Sequence, residues 1–574
     1  MAFPFALIAI ANLALYVADY GFDTSLVVPV SASQPSRYYL NPRADIVYGL
    51  LDLRGPEPQS FALPKPADTF RVVVVGESSV QGYPYPSELA FPRQLQLVLE
   101  RQLSQKHVEV LNAGIVGIST TPLVDVVRQV LTSAPDLIVV YAGHNEFYGV
   151  GGVASNVSTA PWQFEVRRFR LAQLFHGRPP ITVTAGQDLI STLPQQSSAG
   201  QSPRLEAQAR EQYRHNLQTI IRICQRAQVP TLLCGVASNL RDQSPELRYL
   251  AEDPLAEITL PDQDPNDPQS LEKSLVHLRE VCSQACAQTP LNAVAHYRLA
   301  QVCEALKDFE AAGAAYRTAR DTDVCRYRAP GDFRDIAADL VRQAPPALVK
   351  FVDLAPVFQH ATTYAVPGGD FFLEHVHFNT EGHWLVARTL GQFIVEGFQE
   401  ATWSESALPS TAERDDWLGL VPEDQITAHM LAYMLIQQSP FNRSADAQRH
   451  QSELSSRIQD LIAPLTAEER RRLQSLPNAT KVDDLIDGLG RDLLQSGAPA
   501  VALAYFERGE RRRPWLANSH IFAAVCLEQL GQIDAATAAL RRADQASLPP
   551  LPTLLQVRQQ VEAKLSRSTK APRP

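Results

Sequence analysis

A chain of 574 residues is longer than one hydrophobic core usually extends, so two to four domains are expected. Its 45% hydrophobic and 20% charged residues describe an ordinary globular protein rather than a disordered one. A net charge of −10 excludes nucleic acid as the main partner, because phosphate binding needs clustered Lys and Arg. The local run Arg511, Arg512, Arg513 reads as a solvated helix face. The seven cysteines (Cys224, Cys234, Cys282, Cys286, Cys303, Cys325, Cys526) lack CxxC spacing and mostly sit in apolar runs, where Cys acts as a small hydrophobe.

In chain order, residues 2–18 are uncharged and Asp19 is the first charged side chain. Seventeen apolar residues are the lower limit for spanning a bilayer, and no basic residue precedes Arg37. Residues 1–20 are therefore expected to be a membrane anchor or signal-like segment, with a buried helix as the alternative. Residues 21–69 are read as an N-terminal linker, with 29–42 as an extended spacer. From Arg71 onward, strand-like runs at 71–76, 108–113, 137–142, 231–236 and 349–354 alternate with helical stretches near 91–104, 121–133 and 206–228. Alternation of this kind predicts a parallel sheet covered on both faces, a flavodoxin-like three-layer α/β/α sandwich.

The alternation breaks after the fourth strand. An acidic, Pro-rich stretch (253–268) reads as a loop, and 270–323 reads as all helix before the fifth strand begins. The expected domains are thus 70–252 and 331–400 for the α/β unit, with a helical insertion at 253–330. A helical connector (401–484), a repeat region (485–550) and a C-terminal helix and tail (551–574) follow. Leu489, Gly490, Leu493, Gly497, Ala502, Phe506, Gly509 and Pro514 are matched 34 residues later by Ala523, Ala524, Leu527, Gly531, Ala536, Leu540, Ala543 and Leu548. Leu299, Ala300, Cys303, Ala312, Tyr316 and Ala319 form a third copy inside the insertion. Period and small/large alternation resemble the tetratricopeptide repeat, a helix–turn–helix unit suited to a protein partner.

Four blocks carry chemistry, each at or beyond a strand's C-terminal end, where open α/β sheets place their ligands. They are Gly76-Glu77-Ser78-Ser79-Val80-Gln81-Gly82, then Asn112-Ala113-Gly114-Ile115-Val116-Gly117, then Gly143-His144-Asn145-Glu146, and last Glu374-His375-Val376-His377 running on to His383. A dinucleotide GxGxxG and a GxSxG elbow are both absent. In their order the blocks resemble the SGNH (GDSL-like) hydrolase family over roughly 70–240 and 330–400. The segments GESSVQGYPYP (76–86), GHNEFYG (143–149), SNLRD (238–242) and FLEHVHFN (372–379) resemble a subgroup that carries tetratricopeptide repeats.

The resemblance implies that Ser78 is the nucleophile, His377 the general base and Glu374 the acid that orients it. The amides of Ser78 and Gly117 and the Asn145 side chain would form the oxyanion hole. It adds His144, Asn239 and Arg241 as candidate pocket residues. Glu77 and Glu374 both stand where the family usually has Asp. The chemistry agrees: a serine hydroxyl needs a base within reach, and an imidazole needs a carboxylate to fix its tautomer. The implied activity is ester hydrolysis through an acyl-serine, on a small ester or an acylated glycan, without a cofactor. A carbohydrate O-acyltransferase outside the cytoplasm and a non-catalytic repeat scaffold are the alternatives. Such repeat-bearing relatives are often tethered to membranes, which favours an extracytoplasmic, anchored location over a cytoplasmic one. His375, His377 and His383 with Glu374 and Asp370 could instead hold zinc, but the serine and asparagine blocks would then have no role, and no metal is expected.

Overall fold

The computed structural model describes residues 2–18, 20–31, 34–48, 55–155, 161–175, 202–246, 260, 268–475, 485–548, 550 and 552–568. The Pro-rich loop at 253–268 thus lies outside the described residues except for Leu260 and Pro268.

Two sheets are present among the described residues. The first in the chain is small and antiparallel, β1 (Val27–Ser31), β2 (Gln34–Leu40) and β3 (Ser60–Ala62). Within 29–42, expected to be a spacer, residues 29–31 and 34–40 are thus strand. Leu26, Leu40 and Phe61 are buried and bring the segment down on the main core. Arg71 holds it there: the guanidinium is fully buried, donates to the Ala62 carbonyl (2.9 Å) and to Glu109 (2.7 Å), and lies over the Phe61 ring.

The main sheet contains β4 (Thr69–Gly76), β5 (His107–Gly114), β6 (Leu137–Tyr141), β7 (Thr231–Gly235) and β8 (Val349–Asp353), all parallel, in the order β5-β4-β6-β7-β8. Alternate side chains point to opposite faces of a strand, so each strand feeds two cores. Val73, Val75, Ile138, Val140 and Leu233 meet helices Thr120–Val130, Pro203–Arg226 and Asp332–Arg342 and the small sheet. Val72, Val74, Leu137, Val139 and Leu232 meet helices Phe91–Gln102 and Thr380–Phe398. The strand order reverses beside β4, which puts the C-terminal ends of β4 and β6 at the switch point where such sheets bind ligands.

Between β7 and β8 the chain forms helices Pro268–Gln288, Ala293–Ala305 and Phe309–Thr322, the last two an antiparallel pair closed on Ala300, Ala312, Ala315, Tyr297 and Tyr316. Two further pairs follow near the C-terminus: Leu485–Gln495 with Pro499–Arg512, and Ala517–Gln529 with Ile533–Gln545. Here the structure corrects the reading of the arginine run. Arg511 is partly exposed, but Arg512 and Arg513 are buried. Arg512 bonds Asp424 and the Gly419 carbonyl, and Arg513 pairs with Asp487 (3.1 Å) and Glu88 (3.7 Å). Their partners come from distant segments, which local periodicity cannot reveal.

The first helix, Ala2–Val17, leaves Ile10, Leu13 and Tyr16 exposed, while its Asn12 side chain accepts a bond from the Leu171 amide. Among the described residues, no helix is long and apolar enough to cross a membrane.

Candidate active site

Strand β4 ends in a turn so tight that a Cβ on Gly76 would lie 2.1 Å from the Tyr141 carbonyl oxygen, so no larger residue fits. Glu77 then precedes a single helical turn, Ser78–Gln81, with Ser78 as its first residue. From the far side of the site, β8 and helix Ala355–Ala361 lead to a loop pinned by two main-chain contacts. The Leu373 amide donates to the His377 carbonyl (2.8 Å), and Phe372 bridges Phe378. Asn379 then caps helix Thr380–Phe398 by accepting the Gly382 N–H. The hydroxyl of Ser79 ties the two sides together by donating to the Val376 carbonyl at 3.1 Å.

The result is a relay. The Ser78 Oγ lies 2.7 Å from Nε2 of His377, and Nδ1 of that ring faces Oε1 of Glu374. The second oxygen of Glu374 accepts the His375 main-chain N–H (2.6 Å) and faces the Nδ1 of His375. Burial alone would raise the Glu374 pKa; the two imidazoles override it and hold the carboxyl well below its usual value. An ionised carboxylate can only accept, so Nδ1 of His377 carries the ring proton and Nε2 is left to accept from the Ser78 hydroxyl. The Tyr83 ring packs edge-on against His377, with centroids 4.9 Å apart. Asp370, the alternative acid, is occupied elsewhere by the Gly368 amide (2.8 Å).

Gly117 and Asn145 stand on adjoining loops. Gly117 has a φ of +74°, a conformation that costs glycine least, and its carbonyl accepts the Val150 N–H while the Asn145 carbonyl accepts that of Gly149. Among the described residues, the Asn145 side-chain amide and the N–H groups of Ser78 and Gly117 have no hydrogen-bond partner. The Asn145 loop is braced by Glu77, whose carboxyl accepts from the amides of Gly143 (3.0 Å) and His144 (3.1 Å). Burial, reinforced by Glu146, pushes the Glu77 pKa up to about 8 despite these donors. Glu146 is itself pushed up to about 7 by burial, and accepts the amide and hydroxyl of Thr120.

The remaining candidates are placed as follows. His144 is buried, accepts the Ala329 N–H on Nδ1, and is pushed down to about 3 by burial and by His375 and His377, so it stays neutral. Asn239 is fully buried; its amide donates to the His375 carbonyl (2.9 Å) and its side-chain oxygen accepts from Asp242. Arg241 pairs with Asp242 under the Tyr364 ring. His383 faces the core, not solvent: it accepts the Phe91 N–H and stacks on that ring, and burial lowers its pKa to about 3. Of the five residues considered for zinc, Glu374, His375 and His377 alone converge, with ligand atoms within 4.8 Å of one another. Those atoms are largely the ones already hydrogen-bonded together, and the free face of His377 is taken by Ser78.

Sequence reasoning missed the double use of Glu374 by His375 and the bracing by Glu77. The Glu77 carboxyl spans three successive amides, those of Gly143, His144 and Asn145.

No family model and no curated protein matches the chain. Solved structures do. A protein described as lipolytic and of the G-D-S-L family, from Desulfitobacterium hafniense, is 12% identical, covering 56% of this chain and 98% of its own, with a TM-score of 0.23. The acetyl xylan esterase AlAXEase is 14% identical, covering 57% and 100%, with a TM-score of 0.26. AlinE4, an SGNH-hydrolase family esterase, is 20% identical, covering 30% and 62%, with a TM-score of 0.17. The structural neighbours are thus esterases matched in part, at scores too low for a function to be transferred from them.

Proposed function

We propose that the chain hydrolyses carboxylic esters through an acyl-serine intermediate. The observation that carries the reading is the Ser78–His377 contact of 2.7 Å, with Glu374 behind the ring. The Ser78 Oγ attacks the ester carbonyl carbon as its proton passes to Nε2 of His377. The tetrahedral oxyanion accepts from the amides of Ser78 and Gly117 and from the Asn145 side chain, each donor contributing about 3–4 kcal/mol to the transition state. Collapse breaks the carbon–alcohol oxygen bond, and His377 returns its proton to the departing alcohol. Water then attacks the acyl-serine, His377 takes its proton and passes it to Ser78, and the carboxylic acid leaves. Glu374 stays ionised throughout and stabilises the imidazolium. Small esters and acylated glycans are the substrate classes of this reading, and the helical pairs, read as tetratricopeptide-like repeats, would serve a protein partner.

The test is a screen of short 4-nitrophenyl esters and acetylated oligosaccharides with wild type and Ser78→Ala, each confirmed folded by circular dichroism. Turnover in the wild type that vanishes in the variant is the expected result. Undiminished turnover in Ser78→Ala refutes it, as does activity lost to a chelator and restored by zinc.

A further inference from the structure

A cleft of about 270 Å³ opens on the same edge of the sheet as the relay. It is walled by Ala237, Ser238 and Leu240 after β7, by Ala355 and Pro356 after β8, by Val366 and Pro367, and by helix Phe309–Thr322, the second of the pair inserted between those strands. Three arginines line it, Arg317 and Arg320 from helix Phe309–Thr322 and Arg334 from helix Asp332–Arg342; no carboxylate does among the described residues, the nearest being Asp321, Asp332 and Asp335 in the adjoining cavity that the same arginines line. Arg320 is paired with Asp321 (2.8 Å), and Arg334 with Asp335 (2.6 Å) and Asp353 (3.6 Å). Arg317 makes no ion pair among the described residues; its guanidinium lies along Gly313, itself part of the cleft wall. Partial burial and the neighbouring Arg320 and Arg334, opposed in part by Asp321, push the Arg317 guanidinium below its usual value, a crowding that an anion in the cleft would relieve further.

The cleft shares its walls with the relay. Asn239, between cleft residues Ser238 and Leu240, donates its amide to the His375 carbonyl, and Pro367 accepts from Leu240 and Arg241 on the way to Glu374. β7 lies two and β8 three strand spacings from β4, which puts the cleft roughly 10–15 Å from Ser78.

The geometry points to a subsite for an anionic group, a carboxylate, sulfate or phosphate, carried by the ester that Ser78 attacks, with Arg317 as its principal contact. This inference rests on the esterase reading for its kinetic test and not for its binding test. In the binding arm, full-length protein is titrated calorimetrically with sulfate and with a long-chain dicarboxylate, in wild type, Arg317→Gln and Arg334→Gln. Saturable, salt-sensitive binding weakened about tenfold in Arg317→Gln is expected, the loss of one charge-assisted contact. In the kinetic arm, mono(4-nitrophenyl) esters of dicarboxylic acids of increasing length are compared with uncharged esters of equal length. The acid-over-neutral ratio of kcat/KM should rise once the chain spans the gap, through KM, and the rise should fall about tenfold in Arg317→Gln. No binding in wild type, or binding and ratio both indifferent to Arg317→Gln, overturns the subsite. Binding that depends on Arg317 and changes the rate on a neutral ester, with no length-dependent preference, assigns the cleft to a free anion and overturns the substrate role. Should no ester be turned over at all, the esterase reading fails while the titration still decides the cleft.

Discussion

Among the places where this molecule buries charge, two are built differently. Where the C-terminal helices meet the rest of the chain, Arg512 is buried against Asp424, and Arg513 against Asp487 and, at 3.7 Å, Glu88. At the relay, one carboxylate serves two imidazoles, Glu374 facing both His375 and His377. At the docking contact the opposite charges are all permanent. At the relay, on the proposed mechanism, the positive charge arriving on His377 during the reaction meets a carboxylate already in position. The first arrangement can be exchanged for apolar side chains and the second cannot.

That contrast can be broken at either end. His377→Ala should lower kcat by roughly 10⁴–10⁶ with the fold intact, because the relay acts as a unit. Glu374→Ala should cost about 10⁴ and Asp370→Ala far less; the reverse order in steady-state kinetics would move the acid to Asp370. At the docking contact, Arg512→Ala should remove about 3–5 kcal/mol from the unfolding free energy by stranding Asp424, whereas Arg512→Met with Asp424→Leu should restore most of it. Asn145→Ala should reduce kcat roughly 10²–10³-fold with little change in KM, since an oxyanion donor acts in the transition state.

The smallest effect is on stability against pH. Glu77 and Glu146, raised from 4.5 to about 8 and about 7, bind protons more tightly when folded, so the stability they add below pH 4.5 is lost as pH rises through those values. His144 and His383, lowered from 6.5 to about 3, bind protons less tightly when folded, so stability falls as pH drops below 6.5. Denaturant titrations should find a plateau between these limits and a decline toward pH 8, at most about 1.4 kcal/mol per unit per group, that Glu146→Gln makes shallower.

What the sequence disclosed follows the reach of each interaction. The five central strands were legible because runs such as Val72–Val75 are apolar on both faces, a local property. Ser78, Asn145 and His377 were legible because each closes a strand or follows one, and the parallel topology gathers such ends. The small sheet was not, since Val27–Ser31 and Gln34–Leu40 contain prolines and polar residues and are held by packing on the main core. Nor was the burial of Arg512, whose acid lies 88 positions away. The arginine cleft needs residues from three separated segments and is invisible without the fold.

The helices inserted between β7 and β8 also set a timetable. Roughly 110 residues must be made after Gly235 before Val349 arrives to cover β7, about 5–20 s of synthesis at ordinary rates. Through that interval β7 is an unpaired edge, and Ser78 exists without His377. The nascent chain is therefore expected to need shielding from aggregation until late in translation, and to acquire chemical competence only after most of it has been made.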